Sequence, residues 1–281
     1  MSELEMTKVE TIETGNPEHS RYMICLDVDG TIVNHSGELF EPVREAVHAV
    51  RRAGHEVIIA TGRSLPATLP VAEALGIDKG HVISSNGGVT AQLDPTYSRG
   101  FSVVDRRTFD PEPALRALQE ALPVAKFAIE TDTGDFLSTE RFQDASFGVQ
   151  ARGVSLEEMM QADAVRLVVF STDSTAEDFG RAVEGIGLSG VTYAVGWSAW
   201  LDIAAHGVTK GSALEALRSR LGFPIEKTVA VGDGRNDIEM LAWAGRGVAM
   251  GQAVEEVRAA AGEVTGHVDE HGLADVLNSL L

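Results

Sequence analysis

The chain has little cysteine, little positive charge and no long apolar run, and each shortage excludes a class of protein. Its single cysteine among 281 residues, Cys25, lies within an apolar run, which indicates a buried thiol in a reducing compartment rather than a disulfide framework. Lysine and arginine number 23 against 42 aspartate and glutamate residues, a formal charge of -19 at pH 7. So acidic a chain repels nucleic-acid phosphates and anionic lipids, and we expect neither nucleic acid nor a membrane as a partner.

The shortage of apolar runs also bears on location. No stretch approaches the ~20 consecutive apolar residues of a membrane-spanning helix. Residues 1–20 are rich in glutamate and lack the apolar centre of a secretory signal peptide, so we interpret them as a flexible acidic leader and expect a cytoplasmic protein. The hydrophobic content of 44% in 281 residues is enough for one large or two ordinary domains.

Strands and helices alternate in two separate stretches of the chain. The predicted strands cover 23–26, 56–60, 82–83, 200–204 and 228–231, with shorter ones near 247–250 and 267–268, and the predicted helices between them cover 42–53, 67–75 and 211–221. Such alternation is typical of right-handed crossovers and a parallel sheet. We therefore predict an α/β protein with a Rossmann-like parallel-sheet core formed by residues 21–104 and 197–281.

The segment between these stretches has a different pattern. A helix over 113–122, a hairpin over 127–137, a helix over 156–161 and a strand over 165–170 follow one another without strict alternation. This order is typical of an α+β module built on an antiparallel sheet. We therefore predict an inserted α+β domain over residues 105–196.

Several predicted core strands stop at polar residues. The first ends at Asp27 and Asp29, which start on the same side of an extended chain because side chains alternate with a period of two. One such carboxylate can attack phosphorus while the other moves a proton. The polar groups that follow other strands or begin a helix are Thr61, Asn86, Lys210, Asp233, Asn236 and Asp237. Open parallel sheets bind ligands beyond the carboxyl ends of their strands, so these groups predict a magnesium and phosphate site.

Each motif also has a structural interpretation when taken alone. Residues 27–30 contain aspartate and glycine, which are common in turns, and Thr61 and Asp233 are residue types that cap helices or loops. A lone Lys210 is typical of a solvated surface lysine. A calcium-binding loop is excluded because its sharp turn requires glycine where this chain has Ile32. All four motifs occur in order at strand ends or helix starts, which favours a phosphoryl-transfer site over these separate explanations.

Four segments resemble the sequence motifs of the haloacid dehalogenase superfamily, and within it the Cof-like phosphatases with a type IIB cap. They are residues 26–31, 60–63, 207–211 and 231–237. The resemblance covers nearly the whole chain after the leader and implies that the inserted domain over 105–196 is a cap that supplies substrate specificity. Outside the motifs, Gln252 stands where this subgroup usually has asparagine.

The resemblance implies a role for each motif residue. Asp27 would be the nucleophile that forms an aspartyl-phosphate, and Asp29 would protonate the leaving oxygen and then activate water. Mg²⁺ would bind Asp27, Asp233 and the backbone carbonyl of Asp29. Asp237 would support the metal shell or Lys210. The groups that hold the phosphoryl oxygens would be Thr61, Lys210, Asn236 and the amides near Val28 and Gly62.

Three hypotheses about function follow from these roles. The first is a magnesium-dependent phosphatase of small phosphorylated metabolites, with sugar phosphates favoured and a cap that closes over the site. The second is a sugar phosphomutase of the phosphomannomutase type. The third is a non-catalytic sensor of phosphorylated metabolites, and an argument against it is the joint presence of Asp27, Asp29, Lys210 and Asp233. We expect a monomer or a homodimer.

Two groups in the inserted domain are candidates for contact with the substrate. An acidic hairpin tip would accept hydrogen bonds from sugar hydroxyls, although its sequence is also good turn chemistry. Four arginines would instead bind a second anionic group. The hairpin residues are Glu130, Asp132, Thr133 and Asp135, and the arginines are Arg106, Arg107, Arg152 and Arg166. The sequence leaves both alternatives open.

Overall fold

The computed structural model describes residues 21–140, 148–171, 175–195 and 199–281, so the leader predicted over 1–20 lies outside the described residues. Within these ranges the chain forms an eight-stranded and a six-stranded sheet with helices packed on them. The prediction of an α/β protein with a parallel-rich core and a second α+β part is confirmed. None of the helices in the described ranges is long and apolar enough to cross a bilayer.

The elements are numbered in chain order. The strands are β1 (Met23–Leu26), β2 (Glu56–Ala60), β3 (Gly80–Ser84), β4 (Val89–Leu93), β5 (Phe101–Arg106), β6 (Lys126–Thr131), β7 (Phe136–Ser138), β8 (Arg152–Gly153), β9 (Ala164–Phe170), β10 (Val191–Val195), β11 (Trp200–Ala205), β12 (Thr228–Gly232), β13 (Arg246–Ala249) and β14 (Glu263–Val264). The helices are α1 (Glu41–Arg52), α2 (Leu65–Ala74), α3 (Glu112–Ala121), α4 (Leu156–Met159), α5 (Ala176–Ile186), α6 (Lys210–Leu221), α7 (Ile238–Trp243), α8 (Glu255–Ala260) and α9 (Gly272–Asn278).

The first sheet has the strand order β14-β13-β12-β1-β2-β3-β4-β5. The strands from β14 to β3 run parallel, and β4 and β5 continue the sheet in antiparallel fashion. Strand β1 lies in the middle, pairs with both β12 and β2, and has all four residues buried. A central parallel strand is covered on both faces, which explains its continuous apolar sequence.

Helices cover both faces of this sheet. Ile24 and Leu26 pack with apolar residues of α1 and α9 on one face, whereas Met23 and Cys25 pack with α6 and α7 on the other. The Cys25 thiol is fully buried, as predicted, and this burial raises its pKa. A buried thiol of raised pKa is a packing group rather than a nucleophile.

The second sheet has the order β10-β11-β9-β6-β7-β8 and is antiparallel except between β7 and β8. Helices α3 and α5 pack on one face, on which Leu115, Phe179 and Leu167 meet. The opposite face is directed toward the first sheet, where the Ser85 hydroxyl donates a hydrogen bond of 2.5 Å to the Glu130 carboxylate on β6. The second sheet therefore lies over the end of β3.

Two details of the sequence prediction are wrong. The strand at 200–204, expected in the core that resumes at residue 197, is β11 of the second sheet and pairs with β9 and β10. Residues 267–268 form no strand; Val268–Glu270 is a short 3-10 turn, and the edge strand is β14. A short apolar segment is compatible with either sheet, and tertiary pairing decides which one it joins.

Replacing Leu26 with alanine tests the central position of β1. Leu26 is fully buried, so the loss of its side chain lowers the free energy of unfolding by about 2–5 kcal/mol. The matched control is Leu281→Ala at a residue that is 64% exposed, and it changes that free energy by less than about 0.5 kcal/mol. Urea denaturation followed by circular dichroism measures both, and equal effects would contradict the burial of β1.

Candidate active site

The ends of three neighbouring strands of the first sheet meet at one edge. Asp27 follows β1 directly, and its amide donates to the carbonyl of Val231 in β12 at 3.0 Å. Thr61 follows β2, and its amide donates to the carbonyl of Ile83 in β3 at 2.9 Å. The loop that begins at Asp233 follows β12. The loops that carry the predicted motifs therefore leave the sheet side by side.

Lys210 is the buried cation at this edge. Its Nζ lies 2.6 Å from Asp27 Oδ1 and 2.7 Å from Asp237 Oδ1, and its side chain is fully buried. Helix α6 begins at Lys210 because Thr209 caps it, accepting a hydrogen bond from the amide of Ser212 at 3.1 Å. Burial alone would lower the pKa of Lys210, but the charges and hydrogen bonds of Asp237 and Asp27 outweigh it, so this pKa is raised.

Three buried carboxylates lie together at this edge, and two of them, Asp27 and Asp237, contact Lys210. Asp27, Asp233 and Asp237 each offer an oxygen within 4.8 Å of the other two. Burial, followed by the charge of Asp237, raises the pKa of Asp27 well above its usual value against the opposing charge of Lys210. The same two causes raise the pKa of Asp233 to about 6. The cluster thus has more acidic groups than its cation balances.

The acidic cluster fits a divalent metal ion. Three carboxylates and one ammonium leave two negative charges uncompensated, and carboxylate oxygens are the ligands that Mg²⁺ takes. Asp237 accepts from Lys210 through Oδ1 and from the amides of Asp233 and Gly234 through Oδ2 at 3.0 and 2.9 Å. Its oxygens are already engaged, so Asp27 and Asp233 are the better placed to bind the ion directly.

Two neighbours fix the position of Asp233. A Cβ at Gly30 would lie only 2.1 Å from Asp233 Oδ2, and the φ of Gly30 is +83°, so glycine is required there. The Gln252 amide nitrogen donates to the Gly30 carbonyl at 2.5 Å and to Asp233 Oδ2 at 3.2 Å. Its Oε1 accepts from the amide of Val268 at 3.0 Å. This role of Gln252 was not predicted from the sequence.

Asp29 stands apart from the buried cluster. Its side chain is 57% exposed and is held by Arg63, whose Nε and Nη2 lie 2.9 and 2.5 Å from the two carboxylate oxygens. The structure therefore keeps the Asp29 carboxylate out of the acidic triad, and binding of a metal by its backbone carbonyl stays a prediction. Arg63 belongs to the second motif, residues 60–63, but its contact with Asp29 was not predicted from the sequence.

The predicted phosphoryl-binding residues lie close together. Asn236 Nδ2 donates to Asn86 Oδ1 at 2.9 Å. A Cβ at Gly62 would lie 3.1 Å from Asn86 Oδ1 and 3.5 Å from Asn236 Nδ2. The buried Thr61 hydroxyl accepts from the Arg63 amide at 3.1 Å, which leaves its proton to be donated. Val28 is buried between the two aspartates of the first motif.

A small cleft of about 80 Å³ lies between this site and the second sheet. Lys210 and Asn236 line it from the first sheet, and Thr192, Arg166 and Asp202 line it from the second.

The other candidates in the inserted segment have local partners. Arg107 pairs with Asp105 and Arg152 with Glu158, both at 2.9 Å, and the Arg106 guanidinium donates to the carbonyl of Asp132. The hairpin tip forms a turn held by its own hydrogen bonds, including that from Thr133 to Asp135, while Glu130 is buried against Ser85. Of the four arginines named from the sequence, Arg166 is the one that lines the cleft.

Known proteins with the same sequence pattern and fold support the resemblance. Residues 24–277 match the model of the haloacid dehalogenase-like hydrolases. Phosphatase YwpJ of Bacillus subtilis is 26% identical over 92% of this chain and 99% of its own, and pyridoxal phosphate phosphatase YbhA of Escherichia coli is 31% identical over 92% and 98%. The solved structure of a haloacid dehalogenase subclass IIB sugar phosphatase, BT4131, superposes with a TM-score of 0.76 at 25% identity, over 92% of this chain and 100% of that one.

The family match spans both sheets and the acidic edge between them, and the resemblance noted from the four motifs is confirmed. The chain belongs to the haloacid dehalogenase-like hydrolase family.

Proposed function

We propose that the protein is a magnesium-dependent phosphatase that hydrolyses small phosphorylated metabolites, with sugar phosphates favoured, through an aspartyl-phosphate at Asp27. The observation that carries the proposal is the buried contact of Lys210 with Asp27 and Asp237 inside an acidic triad. The phosphatase names of YwpJ and YbhA and the sugar phosphatase among the similar structures support it.

Asp27 is oriented for nucleophilic attack. Lys210 donates to Asp27 Oδ1 at 2.6 Å, and in the proposed mechanism the other oxygen, Oδ2, attacks the phosphorus of the substrate. Attack forms an oxygen–phosphorus bond to Asp27 and breaks the bond to the leaving oxygen. Water then attacks the same phosphorus, which releases inorganic phosphate and restores the Asp27 carboxylate.

Asp29 moves the protons of both steps. It gives a proton to the leaving oxygen in the first step and takes one from the attacking water in the second. Arg63 donates to both oxygens of the Asp29 carboxylate, so at least one of these hydrogen bonds must break for Asp29 to take up a proton from solvent and pass it to the leaving oxygen. Arg63 thereby positions a carboxylate that would otherwise rotate in solvent.

The phosphoryl oxygens meet several preorganised donors. These are the Thr61 hydroxyl, the amides of Val28 and Gly62, the Asn236 amide group and the Lys210 ammonium. The start of α6 adds amide groups whose dipoles favour negative charge. Mg²⁺ on Asp27 and Asp233, with the carbonyl of Asp29 and the support of Asp237, would neutralise the acids and the phosphoryl charge. Fixed donors of this kind stabilise the charge of the transition state.

Replacing Asp27 with asparagine removes the nucleophile and preserves the shape of the side chain. Phosphate release from a panel of sugar phosphates in saturating Mg²⁺ should fall by more than about 10³-fold, because a carboxamide does not form the phospho-enzyme. Asp275→Asn, at an exposed residue of α9, is the matched control and leaves the rate unchanged. Normal turnover of the Asp27 variant would exclude the aspartyl-phosphate route. Phosphorus NMR of the products distinguishes phosphate release from transfer to an isomer, the outcome expected of a mutase.

Replacing Asp29 with asparagine tests proton transfer. Turnover of a sugar phosphate should slow by about 10²–10⁴-fold, since the leaving alkoxide no longer receives a proton. The first step with p-nitrophenyl phosphate should slow less, because nitrophenolate leaves without a proton. Single-turnover kinetics with the two substrates measure the difference. Equal effects on both would assign Asp29 a role other than proton transfer.

Titration with Mg²⁺ tests the acidic triad without reference to turnover. At a concentration 100 times its dissociation constant, the ion stabilises the folded protein by about 2.7 kcal/mol, and calorimetry detects this as a higher melting temperature. Asp233→Asn should remove most of that shift, while Asp275→Asn keeps it. A full shift in the Asp233 variant would show that the ion binds elsewhere.

A further inference from the structure

The wall of the cleft opposite Lys210 contains a second ion pair. Arg166 Nε lies 2.5 Å from Asp202 Oδ1, and its Nη2 lies 3.0 Å from Asp202 Oδ2. The Arg166 side chain is 3% exposed and that of Asp202 is 17% exposed. A planar, bidentate pair of this kind fixes both side chains on neighbouring strands of the second sheet.

Packing alone gives little reason for this pair. A buried ion pair costs desolvation energy that its attraction barely offsets, and apolar residues of the same volume often stabilise a protein as well or better. Leu167 and Ile203, the chain neighbours of the two residues, pack with the helices on the far face of the sheet. Arg166 and Asp202 instead line the cleft that leads to Lys210.

We propose that the Arg166–Asp202 pair determines substrate specificity by selecting a neutral leaving group that carries hydroxyls, so that the substrates are monophosphates of sugars or other polyols rather than bisphosphates. This inference rests on the proposed phosphatase function and names the substrate class of that same site. Two observations support the inference: the charges that line the cleft, and the hydrogen-bonding groups on the wall formed by the second sheet.

The balance of charge disfavours a second phosphate. Among the described residues, the cations that line the cleft are each paired with a carboxylate: Lys210 with Asp27 and Asp237, Arg166 with Asp202, and Arg235 with Glu256 at 3.1 Å. The exposed Glu239 adds a further acid to the lining. A second phosphate would therefore enter a compartment without surplus positive charge.

The hydrogen-bonding groups of the wall suit hydroxyls. A carboxylate has about four acceptor positions, and Asp202 uses three, for Arg166 twice and for Trp200 Nε1 at 3.2 Å. Thr192 accepts from the amide of Gly207 at 2.8 Å and has a proton to donate. Asp202 pairs with Ala194, so Thr192 is its diagonal neighbour on the same face of the sheet. An acceptor and a donor on one face match two hydroxyls of one polyol.

The test compares three substrates through kcat/KM: a hexose 6-phosphate, the corresponding hexose 1,6-bisphosphate, and p-nitrophenyl phosphate, which lacks hydroxyls. The wild-type protein should prefer the monophosphate to the bisphosphate. Asp202→Asn should lower kcat/KM for the monophosphate relative to p-nitrophenyl phosphate by about tenfold, the effect of one lost hydrogen bond to a charged group.

Two variants with opposite changes of charge distinguish a role in specificity from a structural role, because they should change the relative kcat/KM for the bisphosphate in opposite directions. Asp202→Asn exposes the charge of Arg166 and should raise the ratio of bisphosphate to monophosphate kcat/KM, whereas Arg166→Gln leaves Asp202 uncompensated and should lower it. Glu158→Gln makes the same change of charge in the exposed Arg152–Glu158 pair and should leave every ratio within about twofold. Thermal melting verifies that the variants fold. If Asp202→Asn does not fold, Thr192→Val takes its place and should lower kcat/KM for the monophosphate relative to that for p-nitrophenyl phosphate.

The outcomes distinguish this inference from the function on which it rests. A wild-type protein that prefers the bisphosphate, or folded variants that change every substrate equally, would overturn the assignment of the ion pair and leave the phosphatase function standing. Absence of phosphate release from all three substrates in Mg²⁺ would overturn both.

Discussion

The burial of the Lys210 ammonium between Asp27 and Asp237 is the interaction on which the rest of the site depends. It joins the loop after β1, the start of α6 and the loop after β12, which are distant in sequence, at 2.6 and 2.7 Å. A buried charge that loses its partner costs about 3–5 kcal/mol. Each of the three groups is therefore stable in this place only with the other two, and the cluster holds their segments in one arrangement before a substrate binds.

Parallel-sheet geometry explains why this part of the site could be predicted from sequence. Apolar runs that end at Asp27, Thr61 and Asp233 share one edge when their strands are parallel neighbours, and the order β12-β1-β2 makes them so. The start of α6 follows the same logic, since the helix predicted over 211–221 places Lys210 at its first turn, and the structure begins the helix there with Thr209 as its cap. Local chemistry and sheet topology agree at these positions, so sequence reasoning was sufficient for them.

Contacts between distant loops had no comparable signal. They include Arg63 with Asp29, Gln252 with Asp233, and Ser85 with Glu130. The assignment of β11 to the core was wrong for a related reason, because its apolar pattern is compatible with either sheet. Asp202 within that pattern was the informative residue. A carboxylate in the middle of a buried strand requires a cation on a neighbouring strand, and Arg166 on β9 supplies it.

The two sides of the cleft differ in charge: the side of the first sheet has an excess of carboxylates, whereas the opposite wall has a neutral ion pair. On the core side, Asp27, Asp233 and Asp237 exceed Lys210 by two formal charges, a balance that suits the divalent cation of the proposed mechanism. On the opposite wall, the charges of Arg166 and Asp202 cancel, so long-range attraction contributes little there, and the proposed selection of the leaving group would depend on short-range hydrogen bonds. Since the two walls are built on different sheets, the proposed assignment implies that changes in β9, β10 and β11 would alter the selection of substrate without altering the contact between Lys210 and Asp27.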